Sequence, residues 1–168
     1  MALATAAKQY DLVKPELTTD AVLQVDDGRH LLVELVCPNQ FIPNDCNLSN
    51  QTMMVLTGAN SSGKSIYLKQ MGIITYLAHI GRYSIEHDAF NTSYFFSFVP
   101  AKKARIGLVD KILTRIKTTE TLAQGQSAFA ADLKQVKMIC EAATPKSLIL
   151  VDEFGKGKLT IALEATFP

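Results

Sequence analysis

Apolar residues fall in short bursts separated by polar stretches that carry proline or glycine. Met1–Asp11 is rich in alanine and predicts a short helix, which Lys14-Pro15 ends because the residue before proline disfavours the helical region. Asp26-Asp27-Gly28 reads as a turn. Leu31–Val36, LLVELV, predicts a strand, and the loop CPNQFIPNDCNLSN follows it. Met53–Leu56 predicts a second strand, ending at Thr57-Gly58. From Lys64 to His79 the apolar residues Ile66, Leu68, Met71, Ile74 and Leu77 recur at near-helical spacing. The stretch 82–96 has no clear period, and Val109–Ile116 predicts another strand. Ser127–Ala142 predicts a helix with Phe129, Leu133, Val136 and Cys140 on about one face, ended by Pro145. Ser147–Val151, SLILV, predicts a fully apolar strand that stops at Asp152-Glu153. Strands alternating with helices imply an α/β layer architecture with a mainly parallel sheet flanked by helices. Ligands bind such sheets beyond the carboxyl ends of the strands.

Composition narrows the class of protein. The 168 residues are 48% hydrophobic and 20% charged, which suits one folded domain rather than a disordered chain. Lys plus Arg is 17 and Asp plus Glu is 16, so bulk charge gives no sign of a strongly basic nucleic-acid binder. No apolar run reaches the ~18 residues of a spanning helix, and no membrane partner is expected. The first residues lack a charged segment followed by an apolar one, so no secretory signal is expected. Cys37, Cys46 and Cys140 match no disulfide framework and no zinc spacing, and are read as reduced thiols. His30, His79 and His87 are scattered, with no metal-ligand neighbours.

Two segments carry chemistry. Gly58-Ala59-Asn60-Ser61-Ser62-Gly63-Lys64-Ser65 fits G-x-x-x-x-G-K-[ST], between a predicted strand and a predicted helix. Glycines let the backbone curl so that successive N–H groups meet phosphate oxygens, and the helix start adds its positive dipole end. In that pattern Lys64 reaches the β- and γ-phosphates and the Ser65 hydroxyl meets Mg²⁺. The second segment is Leu148–Glu153, an apolar strand that delivers carboxylates to its tip. Asp152 is placed to hold Mg²⁺, and Glu153 to orient or deprotonate a water for attack on the γ-phosphate. Between them, Ser127 ends a polar loop, QGQ, at the expected start of a helix, where it serves as an N-cap.

With these residues in view, the chain resembles the MutS family of DNA mismatch and recombination ATPases. The resemblance runs through FIPND (41–45), TGANSSGKSIYLKQ (57–70), SFVPAKKARIGLVDKILTRI (97–116), QSAFAADLKQV (126–136) and SLILVDEFGKG (147–157). The serine pair in the phosphate loop and the DEFGKG ending look most like the meiotic branch, that of MutS homologue five. The resemblance implies an ABC-type P-loop NTPase domain that binds ATP and Mg²⁺ and dimerises so that each nucleotide is sandwiched between subunits. It implies that Phe41 stacks on adenine, that the Ile42 backbone reads its edge, and that Asn60 helps position the γ-phosphate and attacking water. Ser127 would reach the nucleotide of the partner subunit. The usual partner in that branch is MutS homologue four, the pair acts on recombination intermediates, and the location is nuclear.

The same resemblance sets out where the chain departs from its family. Residues 1–28 look like the end of the lever region alone, and 29–157 like a truncated ATPase domain. DNA contacts would therefore be made through regions not present in this chain. Relatives run directly from the first helix into SFVPA, whereas 82–96 intervenes here. That stretch reads either as intron translated in frame or as a surface loop. Ala59 stands where relatives usually have proline, and 158–168 (KLTIALEATFP) replaces the expected continuation. Two functions follow. One is an ATPase domain hydrolysing ATP at a dimer interface. The other is a nucleotide-binding interaction fragment without turnover. A small-molecule kinase of P-loop type explains the phosphate loop but leaves FIPND and QSAF unexplained.

Overall fold

The computed structural model describes residues 2–37, 41–49, 51–80, 82–83, 94–95, 97–116 and 128–153. The chain opens with helix α1 (Ala2–Gln9), built on alanines, the best helix formers. Strands β1 (Glu16–Thr18) and β2 (Leu23–Gly28) follow. Then come a six-residue helix α2 (Leu31–Val36), strand β3 (Asn44–Leu48) and the long helix α3 (Lys64–Ile80). Two short strands, β4 (Arg82–Tyr83) and β5 (Tyr94–Phe95), pair antiparallel with each other. Strands β6 (Lys103–Gly107) and β7 (Ile112–Arg115), helix α4 (Ala128–Ala142) and strand β8 (Leu148–Val151) complete the description.

The fold is mixed α/β, but the expectation of a mainly parallel sheet needs correction. The largest sheet has the order β1-β6-β2-β3, and only β1 and β6 run parallel in it. β2 is antiparallel to both β3 and β6. A parallel pair, β7 with β8, forms a separate sheet. The physical reason lies in the connections. Parallel neighbours need a long crossover, and α4 provides one between β7 and β8. The link from β2 to β3 also carries a helix, α2, yet it returns the chain antiparallel beside β2 rather than crossing over.

One layer of core joins the large sheet to α3. Leu23, Val25, Cys46, Ala104 and Ile106 point inward from the strands and meet Met71, Ile74 and Ala78 of the helix. β2 buries Leu23 and Val25 two residues apart, as a half-buried strand does. α3 buries Gln70, Met71, Ile74, Thr75 and Ala78, a stripe at helical spacing. That stripe is rotated from the expected one, since Ile66 is exposed.

Two predicted strands do not form. Leu31–Val36 is helical because the buried His30 caps it, its Nδ1 accepting the Val33 N–H at 3.4 Å. Arg29 fixes the chain ahead of that cap through the Tyr10 and Asp11 carbonyls and the Glu34 carboxylate. Met53–Leu56 has no ladder partner among the described residues and lies as irregular backbone, with Met53 76% and Val55 74% exposed. A strand exists only where a neighbour takes its N–H and C=O groups, and apolar sequence alone does not provide one.

Of the 82–96 stretch, only the paired ends at β4 and β5 lie within the described residues. Ser127 and 158–168 lie outside them.

Candidate functional site

Two contacts and a shared cavity fix how α3 lies on the parallel pair. Near its end, His79 donates from Nδ1 to the Thr75 carbonyl at 2.7 Å, and its Nε2 accepts the Val109 N–H at 3.1 Å. Val109 stands just before β7. One turn back, Thr75 borders the same cavity as Leu148, the first residue of β8. Nearer the middle, Gly72 packs on β8 so closely that a β-carbon there would lie 2.7 Å from Leu150 Cδ1. Moving back along α3 therefore means moving forward along β8. The helix start, at Lys64, faces the strand end, at Asp152-Glu153. Lys64 stands ~12 Å above Gly72 along the helix, and Asp152 stands ~7 Å beyond Leu150 along the strand.

The loop ahead of α3 is curled rather than extended. Ser61 has φ 63° and Gly63 has φ 93°, both in the left-handed region, and the Ser62 N–H bonds the Ala59 carbonyl at 3.3 Å. At Gly63 the constraint is conformational, since a β-carbon there would meet nothing within 4 Å. The Lys64 ammonium turns back onto the loop and donates to the Gly58 carbonyl at 2.8 Å and the Ala59 carbonyl at 2.7 Å. Asn60, Ser61 and Ser62 are exposed, and Ser65 is half-buried in the first turn of α3.

At the tip of β8, Asp152 is 8% exposed and its N–H donates to the Arg115 carbonyl at 2.9 Å. Glu153 is exposed and adopts φ 49°, so the chain turns sharply as it leaves the sheet. Phe41 and Ile42 lie in irregular backbone just before β3. Phe41 is half-buried, Ile42 is exposed, and the Ile42 carbonyl accepts from Asn44 Nδ2 at 2.8 Å. The Tyr67 hydroxyl ties this region to α3 by donating to the Asp45 carbonyl at 2.9 Å. Burial, together with the neighbouring Cys46, pushes the Tyr67 phenol far above its ordinary range, so it stays protonated as a donor. Burial likewise raises the Cys46 thiol.

The structure therefore brings Gly58–Ser65 to the same end of the parallel pair as Asp152 and Glu153, and tethers the segment after Phe41 and Ile42 to the first turns of α3. Sequence reasoning missed Arg115, which is 2% exposed at the end of β7. Its Nη1 donates to the Asp152 carbonyl at 2.5 Å, and its Nη2 pairs with the Asp132 carboxylate of α4. In sequence it is only a lone arginine ending the strand ILTR, and neither its burial nor its partner Asp132 is a local feature. It also missed Tyr67, which its near-helical spacing had left unassigned. No group of three or more His, Cys, Asp or Glu able to hold a metal occurs among the described residues. No described helix is long and apolar enough to cross a membrane.

Comparison with known proteins gives the ancestry of this arrangement. The chain is 43% identical over 163 residues to the DNA mismatch repair protein MutS of Carboxydothermus hydrogenoformans, covering 95% of this chain and 18% of that protein. The MutS of Clostridium perfringens is 41% identical over 161 residues, covering 94% of this chain and 16% of that protein. The MutS of Synechococcus elongatus is 41% identical over 163 residues, covering 95% and 17%. The chain thus spans less than a fifth of the length of these curated relatives. The family model described as MutS domain V matches residues 54–163, a range that takes in both the curled loop and the acidic strand tip. By that match this chain belongs to the MutS family, as a form of its domain V.

Proposed function

We propose that this chain is a MutS-type P-loop ATPase module that binds ATP with Mg²⁺ between the 58–65 loop and the tip of β8. The observation that supports the reading is the antiparallel packing of α3 on β8, with the phosphate-type loop at the helix end that lies toward the strand tip. In this reading the backbone N–H groups of Gly58, Ala59, Asn60, Ser61, Ser62 and Gly63 line the triphosphate. Lys64 leaves the Gly58 and Ala59 carbonyls for the β- and γ-phosphates. Its present partners are neutral, so a phosphate outcompetes them.

The residues fit Mg²⁺. That ion keeps several waters and takes one or two protein ligands beside substrate phosphates, so the Ser65 hydroxyl and the Asp152 carboxylate suffice without an all-protein cage. When bound, the ion neutralises charge on the transferring phosphoryl group. Glu153 accepts the proton of the attacking water, and Asn60 orients that water. Phe41 stacks on adenine while the Ile42 backbone meets its edge. Ser127 reaches the nucleotide of a second subunit. Turnover therefore belongs to a dimer, with DNA held by other parts of the protein. The phosphate-loop serines and DEFGKG support placement in the meiotic branch, with a partner like MutS homologue four and a nuclear location. A second reading, nucleotide binding without hydrolysis in an interaction fragment, draws on the exposed, unpaired Met53–Val55 segment beside the loop.

Fluorescent-ATP binding and phosphate release test both. Lys64→Ala is expected to weaken binding by a factor of ten or more, on the order of the 1.5–3 kcal/mol of a charge-assisted contact. Glu153→Gln is expected to bind like the parent and release no phosphate. Release by the parent that Glu153→Gln abolishes supports the ATPase. Binding without release from any version supports the fragment. A Lys64→Ala chain that binds as tightly as the parent rejects the phosphate-loop assignment.

A further inference from the structure

The Arg115 guanidinium is buried where three elements meet: the end of β7, the tip of β8 and the first half of α4. Burying a cation is costly unless each of its donors finds a partner. Nη1 holds the Asp152 carbonyl and Nη2 holds the Asp132 carboxylate, while the Nε is buried with no hydrogen-bond partner among the described residues. The backbone of Arg115 also accepts the Asp152 N–H. One residue thus grips the peptide groups on both sides of the Asp152 α-carbon. The grip lies where the strand leaves its sheet for a left-handed turn at Glu153. Asp132 in turn stands in the helix that begins just after Ser127, so the ion pair links that helix to the acidic tip.

We infer that Arg115, held by Asp132, is the positioning residue that fixes the Asp152 carboxylate for the metal of the bound nucleotide. The inference rests on the proposed ATP–Mg²⁺ reading. It acts through the backbone of Asp152 and touches neither nucleotide nor metal. Three consequences follow from the geometry. The pair should affect the metal-dependent part of nucleotide binding and leave the part made by the 58–65 loop untouched. A lysine at 115 should not replace it, because a single ammonium lacks the planar fork that reaches both acceptors. A glutamate at 132 should serve in place of aspartate, since it keeps the charge.

The test is fluorescent-ATP binding by the whole chain, titrated with Mg²⁺ and repeated in chelator, with circular dichroism to verify folding. The informative variant is the double substitution Arg115→Met with Asp132→Leu. Replacing a buried ion pair by apolar residues is commonly neutral or stabilising, so the fold survives while the grip on Asp152 is lost. It is expected to bind ATP like the parent in chelator and to need about tenfold more Mg²⁺ for the metal-dependent gain, the usual scale for loss of a group that orients a ligand. Arg115→Lys is expected to shift in the same direction. Asp132→Asn is expected to shift less, because Arg115 keeps its bond to the Asp152 carbonyl. Asp132→Glu is expected to restore the parent response. A double variant that folds and responds to Mg²⁺ like the parent overturns the inference, and a parent-like Asp132→Asn does so if the double variant fails to fold. Parent binding that ignores Mg²⁺ also overturns it, while leaving the phosphate loop standing. A parent that binds no nucleotide removes the proposed function first and this inference with it.

Discussion

Single residues in α3 carry the sharpest conflicts between polarity and burial. Thr75 is 1% exposed, and its hydroxyl has no hydrogen-bond partner among the described residues. It borders a cavity of about 190 Å³ walled largely by Val22, Leu23, Leu48, Ile106 and Leu148. A buried hydroxyl with no acceptor carries its desolvation cost without compensation. Thr75→Val keeps the shape and removes the orphan, so urea unfolding should show a gain of about 1 kcal/mol. A loss of similar size would mean that the hydroxyl is satisfied in solution, by water in the cavity. Gln70 poses a related problem, since both ends of its buried amide lack partners. Its place in the core stripe was readable only as a position, because helical spacing in α3 fixes which residues share a face and not which face turns inward.

Among the elements, α2 is the one whose identity depends on a proton. LLVELV reads as a strand, yet the buried His30 makes it a helix by accepting the Val33 N–H. Only a neutral ring can accept at Nδ1. Burial, with the nearby Lys69 adding to it, lowers the His30 pKa below its ordinary 6.5. The folded state therefore binds this proton less readily than the unfolded chain. The stabilisation is present above pH 6.5 and is lost as the pH falls below that value toward the folded-state pKa. Urea midpoints at pH 7.5 and 5.5 should differ more for the parent than for His30→Asn, which caps without titrating. Equal pH dependence in the two chains would remove His30 as the cause. At β7, Asp110 is held below the usual carboxylate range by the Thr144 and Ser147 hydroxyls. That contact closes the turn into β8, and its contribution is complete above the ordinary carboxylate pKa and is lost as the pH falls from there through the lowered value.

At the scale of the molecule, some of the unpaired backbone among the described residues lies beside the proposed site. Only β7 pairs with β8, and Met53–Leu56 has no strand partner among the described residues. Ile149 and Val151 are each 41% exposed. An apolar strand edge with open N–H and C=O groups is a template for pairing with another chain. Sedimentation velocity of the chain alone should show association that grows with concentration, and Val151→Lys should reduce it by placing a charge on that edge. A monomer over the whole accessible concentration range would count against the edge as the cause. In the proposed reading nucleotide acts beside the same surface, because the 58–65 loop joins directly onto Met53–Leu56.

What the sequence determined by itself was local. The curled 58–65 loop, the helix that starts at Lys64, the apolar strand ending in Asp152-Glu153 and α4 are set by glycine placement, side-chain period and chain breakers within a few residues of one another. The same local logic fails at LLVELV and at Met53–Leu56, because strand formation is settled by whichever partner offers hydrogen bonds. Tertiary structure decided the antiparallel order of the larger sheet and the direction of α3 along β8. It also decided the burial of Arg115 between Asp132 and the Asp152 carbonyl. These are contacts between residues far apart in the chain, which no short window of sequence contains.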